Sequence, residues 1–275
     1  MKKIIGRIGV VAVFAILTFT ILSFTFPTAR QKLFANDEFQ VESVIHYVAV
    51  GDSLTAGVGD STNSGGFVSI VSKLMQDDYG ERVLSENFGV SGNTSKQILE
   101  RIQTEKIRKS LRQANLITLT VGGNDLLQVI RENLNKLTVE TFDQPRVLFQ
   151  SHLTKIILNI REENKNGPIY IIGIYNPYYL NFQNIPEMQE VVDLWNKGSE
   201  DVATAYRRVH FIPINDLLSK GIEGGETKVT GENTTVQNDA LFSGDQFHPN
   251  DTGYQLMANI VMKEIQQSEK EWQKD

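Results

Sequence analysis

The stretch Val48-Ala49-Val50-Gly51-Asp52-Ser53-Leu54-Thr55-Ala56-Gly57 decides the reading of this chain. An apolar run that suits a buried strand stops at Gly51, and the next two side chains are a carboxylate and a hydroxyl. Either this is an ordinary turn, or it holds a nucleophile at the mouth of a sheet. The pattern around it favours the sheet. Apolar runs at 45–50, 83–88, 116–121, 169–174 and 210–214 read as strands, each bounded by glycine, proline, asparagine or aspartate. Between them, residues 67–79 and 147–160 carry apolar positions at the spacing of one helical face, and a last helix is expected over 252–272. Strand alternating with helix implies a mostly parallel sheet covered on both faces, an α/β/α sandwich.

In an open parallel sheet, ligands sit beyond the carboxyl ends of the strands, so the residues after each strand carry the chemistry. Ser53 follows the first, Gly89-Val90-Ser91-Gly92-Asn93-Thr94 the second, and Gly122-Gly123-Asn124-Asp125 the third. Asp245-Gln246-Phe247-His248-Pro249-Asn250 arrives just before the last helix. A serine hydroxyl needs a base to take its proton, and imidazole suits that task near neutral pH. His248 has an aspartate, Asp245, three residues before it, placed to hold the other ring nitrogen. His46, His152 and His210 lie on expected strands or on an amphipathic helix and read as structural or solvated. Negative charge growing on a carbonyl oxygen calls for fixed donors, worth about 3 to 4 kcal/mol each. The backbone N–H groups of Ser53 and Gly92 and the Asn124 amide are the candidates. Asp52 reads as an acceptor that braces the loop, while Asn124 and Asp125 also suit the start of the following helix.

The blocks GDSLTAG, GVSGNTS, GGND and DQFHPN, in this order and spacing, resemble the SGNH or GDSL family of serine esterases and lipases. The resemblance covers about residues 43–272. It implies a flavodoxin-like three-layer fold with a five-stranded sheet, Ser53 as nucleophile, Asp245 and His248 completing the triad, and Ser53, Gly92 and Asn124 as oxyanion hole. Bacterial lipase and acylhydrolase members of lysophospholipase-like type look closest, so a carboxylic ester is the expected substrate. Acyl lipids and O-acetylated wall or capsule sugars both remain open. A surface binding module that has lost the reaction is the competing class, and no substituted triad position favours it. No cofactor or metal is needed. The Gly-x-Ser-x-Gly elbow, the phosphate loop and His-Glu-x-x-His are all absent from the sequence.

Composition narrows the partners. Among 275 residues, 27 basic side chains face 33 acidic ones, a net charge of −6 that argues against nucleic acid. There is no cysteine, which removes disulfides, thiolate nucleophiles and lipidated cysteine. Lys2, Lys3 and Arg7 precede an uncharged run at 8–26 that spans about 29 Å as a helix, enough to cross a bilayer core. The expected layout is a basic cytoplasmic tip at 1–7, a membrane anchor or uncleaved signal at 8–28, a polar linker at 29–42 and the hydrolase domain at 43–272. The domain is then extracytoplasmic, or secreted if the N-terminal segment is cleaved. Two loops stand out. One, 176–195, carries Tyr178, Tyr179, Phe182 and Trp195 as candidates for substrate contact, and the other, 221–244, is longer than usual and suits a lid or an insertion. Oligomeric state is not legible.

Overall fold

The structure, a computed structural model, describes Thr18, Thr20 and residues 44–134, 136–181, 185–222, 226–230 and 233–273. By its contacts the chain divides into Met1–Glu42 and Ser43–Asp275. Of the first unit only Thr18 and Thr20 are described, both in helical backbone; the rest of the expected anchor and the linker lie outside the described residues. Among the described residues no helix is long and apolar enough to cross a membrane.

The second unit is a five-stranded sheet between two helical layers, with a separate two-stranded hairpin. In chain order it runs β1 (Val44–Gly51), α1 (Ser53–Ala56), α2 (Phe67–Tyr79), β2 (Arg82–Gly89), α3 (Ser95–Arg101), α4 (Glu105–Gln113), β3 (Leu116–Thr120) and α5 (Gly123–Glu132). A 3-10 turn (Val139–Phe142) leads to α6 (Asp143–Glu163), β4 (Ile169–Ile172), α7 (Pro186–Thr204), β5 (Val209–Ile212) and α8 (Asn215–Ser219). A hairpin of β6 (Glu226–Thr230) and β7 (Asn233–Gln237) comes before α9 (Asp251–Gln267) and a second 3-10 turn (Glu269–Glu271). The five main strands are all parallel, in the order β2-β1-β3-β4-β5, the flavodoxin-like arrangement. Its switch point, where successive connections leave in opposite directions, lies between β1 and β3, so Ser53 and Asn124 emerge on either side of one crevice.

Alternation along the strands builds two cores. From β1, Ile45, Tyr47 and Ala49 pack with α2 and α9, whereas Val48 and Val50 face the opposite core with α6 and α7. Central β3 and β4 are buried throughout, while β2 at the edge has no buried residue. The expected strands recur within two residues at each end, and α2 has the expected bounds. Residues 147–160 belong to a longer helix, α6, and 252–267 fall in α9, with a 3-10 turn completing the stretch to 271. The excursion at 221–244 holds the antiparallel hairpin.

Candidate active site

The serine stands at a strand end braced by hydrogen bonds. Asp52 caps α1: its Oδ1 accepts from Leu54 N–H (3.1 Å) and from the Thr120 hydroxyl (2.7 Å) at the end of β3. Thr120 Oγ1 has one proton and gives it to Asp52, so it accepts from Thr55 Oγ1 (2.8 Å) and from Asp52 N–H (3.2 Å). Burial pushes the Asp52 carboxyl above the ordinary range, against those hydrogen bonds and the His248 charge. This is the bracing acceptor the sequence suggests, and it locks β1 to β3 beside the nucleophile. Arg101 ties the neighbouring strand ends, donating to the carbonyls of Gly51 (3.0 Å) and Phe88 (3.1 Å).

The three residues distant in sequence meet. His248 Nε2 lies 2.9 Å from Ser53 Oγ, and His248 Nδ1 lies 2.6 Å from Asp245 Oδ2. An ionised carboxylate can only accept, so Nδ1 carries the proton and Nε2 is free to accept from Ser53. Asp245 Oδ1 takes the backbone N–H of Phe247 (2.9 Å) and of His248 (3.0 Å), folding the loop back on itself. Burial would raise the Asp245 carboxyl, but the hydrogen bonds from the His248 ring and the two N–H groups outweigh it and hold it below the usual range. Asp245 is the exposed member of the set, with 37% of its side chain accessible against 15% for His248. The Tyr175 hydroxyl, after β4, donates to the Phe247 carbonyl and clamps this loop from the sheet side. Asn250 caps α9 through Gly253 N–H (3.0 Å) and pins the loop through the carbonyls of Asp239 (2.8 Å) and Leu241 (3.0 Å).

The three candidate donors follow β1, β2 and β3. The N–H groups of Ser53 and Gly92 have no hydrogen-bond partner among the described residues. Gly92 has φ +81°, a conformation that favours glycine, and a Cβ built there meets nothing within 4 Å. Asn124 Nδ2 donates to the Asn93 carbonyl (3.0 Å), which fixes the amide and leaves its second proton for a ligand. Neither Asn124 nor Asp125 caps its own helix: the cap position is Gly122, with no side-chain bond.

Two adjoining cavities open beside Ser53. The smaller touches Asp52, Ser53, Asn124 and Gly173, and it shares Gly123, Ile174, Tyr175 and Phe247 with a larger one of about 680 Å³. The walls of the larger cavity are apolar faces of α5 (Leu126, Leu127, Ile130), the 3-10 turn (Val139, Phe142) and α7 (Met188, Val191, Val192). Of the four aromatic candidates, Tyr178 lines this cavity. Tyr179 faces a separate polar groove, its ring 6.0 Å from Lys220 Nζ. Trp195 corrects the expectation. It is wholly buried on α7, stacked on Phe149 at 5.1 Å, because it falls on the core-facing stripe of the helix with Val191, Val192 and Val202. Phe182 lies outside the described residues. Sequence reasoning missed Thr120, Tyr175 and the cavity walls; the apolar spacing at 188, 191 and 192 is the signal that marks one of those walls.

A three-layer fold with hydroxyl, imidazole and carboxylate in series is that of an ester hydrolase acting on carboxylic esters. The chain belongs to the GDSL-like Lipase/Acylhydrolase family, whose model matches residues 49–256. The uncharacterized protein YpmR of Bacillus subtilis (strain 168) is 31% identical over 228 residues, 83% of this chain and 84% of the relative. Two solved structures share the fold. The lipase Lip_vut3 from a goat rumen metagenome superposes with a TM-score of 0.65 at 24% identity, over 80% of this chain and 96% of that one. Axe2, an acetylxylan esterase from Geobacillus stearothermophilus, does so with a TM-score of 0.56 at 16% identity, over 80% and 93%.

Proposed function

We propose that the protein hydrolyses esters of medium to long acyl chains, with Ser53 as nucleophile, His248 as general base and acid, and Asp245 as the carboxylate that orients the ring. His248 Nε2 takes the Ser53 proton as Oγ attacks the ester carbonyl. The oxyanion that forms is met by the N–H groups of Ser53 and Gly92 and by Asn124 Nδ2. Collapse breaks the carbon–oxygen bond, and His248 returns the proton to the departing alkoxide. Water then gives its proton to the same nitrogen and attacks the acyl-serine; as the acyl carbon–oxygen bond breaks, His248 returns that proton to Ser53 Oγ and the acid is released. The observation that carries this reading is the pair of contacts at 2.9 and 2.6 Å joining Ser53, His248 and Asp245. Replacing Ser53 with alanine should abolish hydrolysis of a p-nitrophenyl ester and leave the thermal melt nearly unchanged. Retained turnover would refute the proposal.

For the substrate, support comes from the apolar cavity of about 680 Å³ that adjoins Ser53, a size typical of sites that enclose a small ligand. An acyl chain matches such walls, and an acetyl group leaves them empty. The carbohydrate O-acetyl esterase reading therefore has less behind it. Location is part of the same proposal: residues 8–28 tether the domain to the outer face of a membrane through 29–42, a reading supported by the uncharged run at 8–26 behind Lys2, Lys3 and Arg7. Mature protein in the medium that begins after residue 29 would contradict the tether.

A further inference from the structure

We propose that Asp125, Ser95 and His152 are positioning residues that hold the Gly92 loop at a fixed distance from the Asn124 amide, and so set the geometry of the oxyanion hole. The inference rests on the reading of Ser53 as nucleophile. Its starting point is that two adjacent side chains on the first turn of α5 grip two points of one loop. Asn124 Nδ2 donates to the Asn93 carbonyl at 3.0 Å. Two residues further on, where the loop enters α3, Asp125 Oδ2 accepts the Ser95 N–H at 2.8 Å, and Asp125 Oδ1 accepts the Ser95 hydroxyl at 2.5 Å.

The proton order extends the grip to a third element. Ser95 Oγ spends its single proton on the carboxylate, so at 2.9 Å from His152 Nδ1 it accepts, and Nδ1 carries the hydrogen. The direction is His152 to Ser95 to Asp125. His152 lies on α6 three residues after Phe149, one turn along the same face. Phe149 in turn packs on Gly122 at the start of α5, where a Cβ would come within 2.9 Å of its ring. One helix thus supports both sides of the hole, Gly122 by packing and the Gly92 loop by hydrogen bonding.

The set contains the same three residue types as the Ser53 site, yet it is not a second nucleophile. Ser95 is fully buried, and its proton points at the carboxylate rather than at the imidazole. Burial also pushes the Asp125 carboxyl above its ordinary range, against the Ser95 hydrogen bonds and the His152 charge. What the three residues hold in place is the segment that carries Gly92. The loop is otherwise fastened mainly by Val90 N–H to the Gly51 carbonyl (3.0 Å) and Asn93 N–H to the Val90 carbonyl (3.2 Å). Gly92 itself has nothing against it on its open side. Without the grip, the loop amide is free to drift, and a displacement near 1 Å costs about a hundredfold in rate.

The test uses the full-length chain and the variants Ser95→Ala, Asp125→Asn, His152→Leu and His152→Asn, each rate normalised to sites titrated with a fluorophosphonate. With p-nitrophenyl butyrate, the first three should lose about 10- to 100-fold in kcat while KM stays within about twofold. His152→Asn places an amide donor near the position of Nδ1 and should recover most of the loss. Affinity for an alkyl trifluoromethyl ketone, which forms an oxyanion on the serine, should fall in parallel with kcat, and affinity for the fatty acid product should not. The proposal is overturned if Ser95→Ala and Asp125→Asn keep wild-type kcat, or if ketone and product affinities fall together. Ser53→Ala is measured alongside: if it still turns over, the underlying reading has failed, whereas a dead Ser53→Ala beside wild-type Ser95→Ala and Asp125→Asn sinks only this inference.

Discussion

If the large cavity receives the acyl chain, kcat/KM should climb with chain length until the cavity is full, and a bulkier wall should move the break to shorter chains. Each methylene transferred from water onto apolar walls is worth about 0.8 kcal/mol, or roughly fourfold in kcat/KM. From acetyl to octanoyl, six methylenes give an upper limit of about 5 kcal/mol. The open mouth leaves part of the chain wet, so the expected rise is about two to three orders of magnitude, roughly half to four-fifths of that limit. The cavity of about 680 Å³ has room for about twenty groups of roughly 30 Å³ each. The break should therefore come well beyond butyryl. Ile130 lies on the α5 wall and is only partly buried, so Ile130→Trp can project into the space, adding about six heavy atoms and removing room for about as many methylenes. The assay is steady-state hydrolysis of p-nitrophenyl esters from C2 to C16 below their micelle concentrations, normalised to titrated sites. A preference that is flat or falls from acetyl onward would refute the assignment of the cavity, as would an Ile130→Trp variant whose break does not move while its acetyl activity is intact.

The remaining expectations concern the scaffold. Gly122 has φ +110°, and a Cβ there would lie 2.9 Å from both the Phe149 ring and Trp195 Nε1; Gly122→Ala should therefore cost about 2 to 4 kcal/mol in denaturant unfolding, and a loss below 1 kcal/mol would show that the contact yields easily. Asp60 accepts the N–H groups of Thr62, Ser64, Gly65 and Gly66 together with the Thr62 hydroxyl. Burial opposes ionisation there, yet these bonds win and hold the carboxyl down to about 2. A depressed folded pKa stabilises above the unfolded value near 3.8 and fades as the pH falls through about 2. Melting temperature should thus fall more steeply between pH 4 and pH 2 in the wild type than in Asp60→Asn, and identical slopes would contradict this.

Strand ends proved the most legible part of the sequence, because physics leaves few alternatives there. A run such as 45–50 that stops at Gly-Asp-Ser fixes both the buried strand and the exposed turn, and the parallel topology then gathers Ser53, Gly92 and Asn124 on one rim. His248 stood apart from the other histidines through a local feature, the aspartate three residues earlier. The cavity was harder to read, since Leu126, Ile130, Val139, Met188 and Val191 come from three separate segments, and an apolar residue facing a cavity looks the same in sequence as one facing the core. Trp195 shows the reverse error. Grouped with Tyr178 and Tyr179 by proximity along the chain, it belongs beyond Pro186 to a helix whose periodicity turns it inward. Asp125 reads from sequence as a helix-start residue, and its pairing with Ser95 escaped notice because a buried hydrogen bond between residues 30 apart leaves no periodic trace.

Reaction of the full-length chain with a fluorophosphonate, followed by peptide mapping, tests the Ser53, His248 and Asp245 relay at its first step. The expected result is one phosphonyl group, on Ser53, formed at least about 100-fold faster than in His248→Ala. Labelling of another serine, or equally fast labelling of Ser53 without the imidazole, would contradict it.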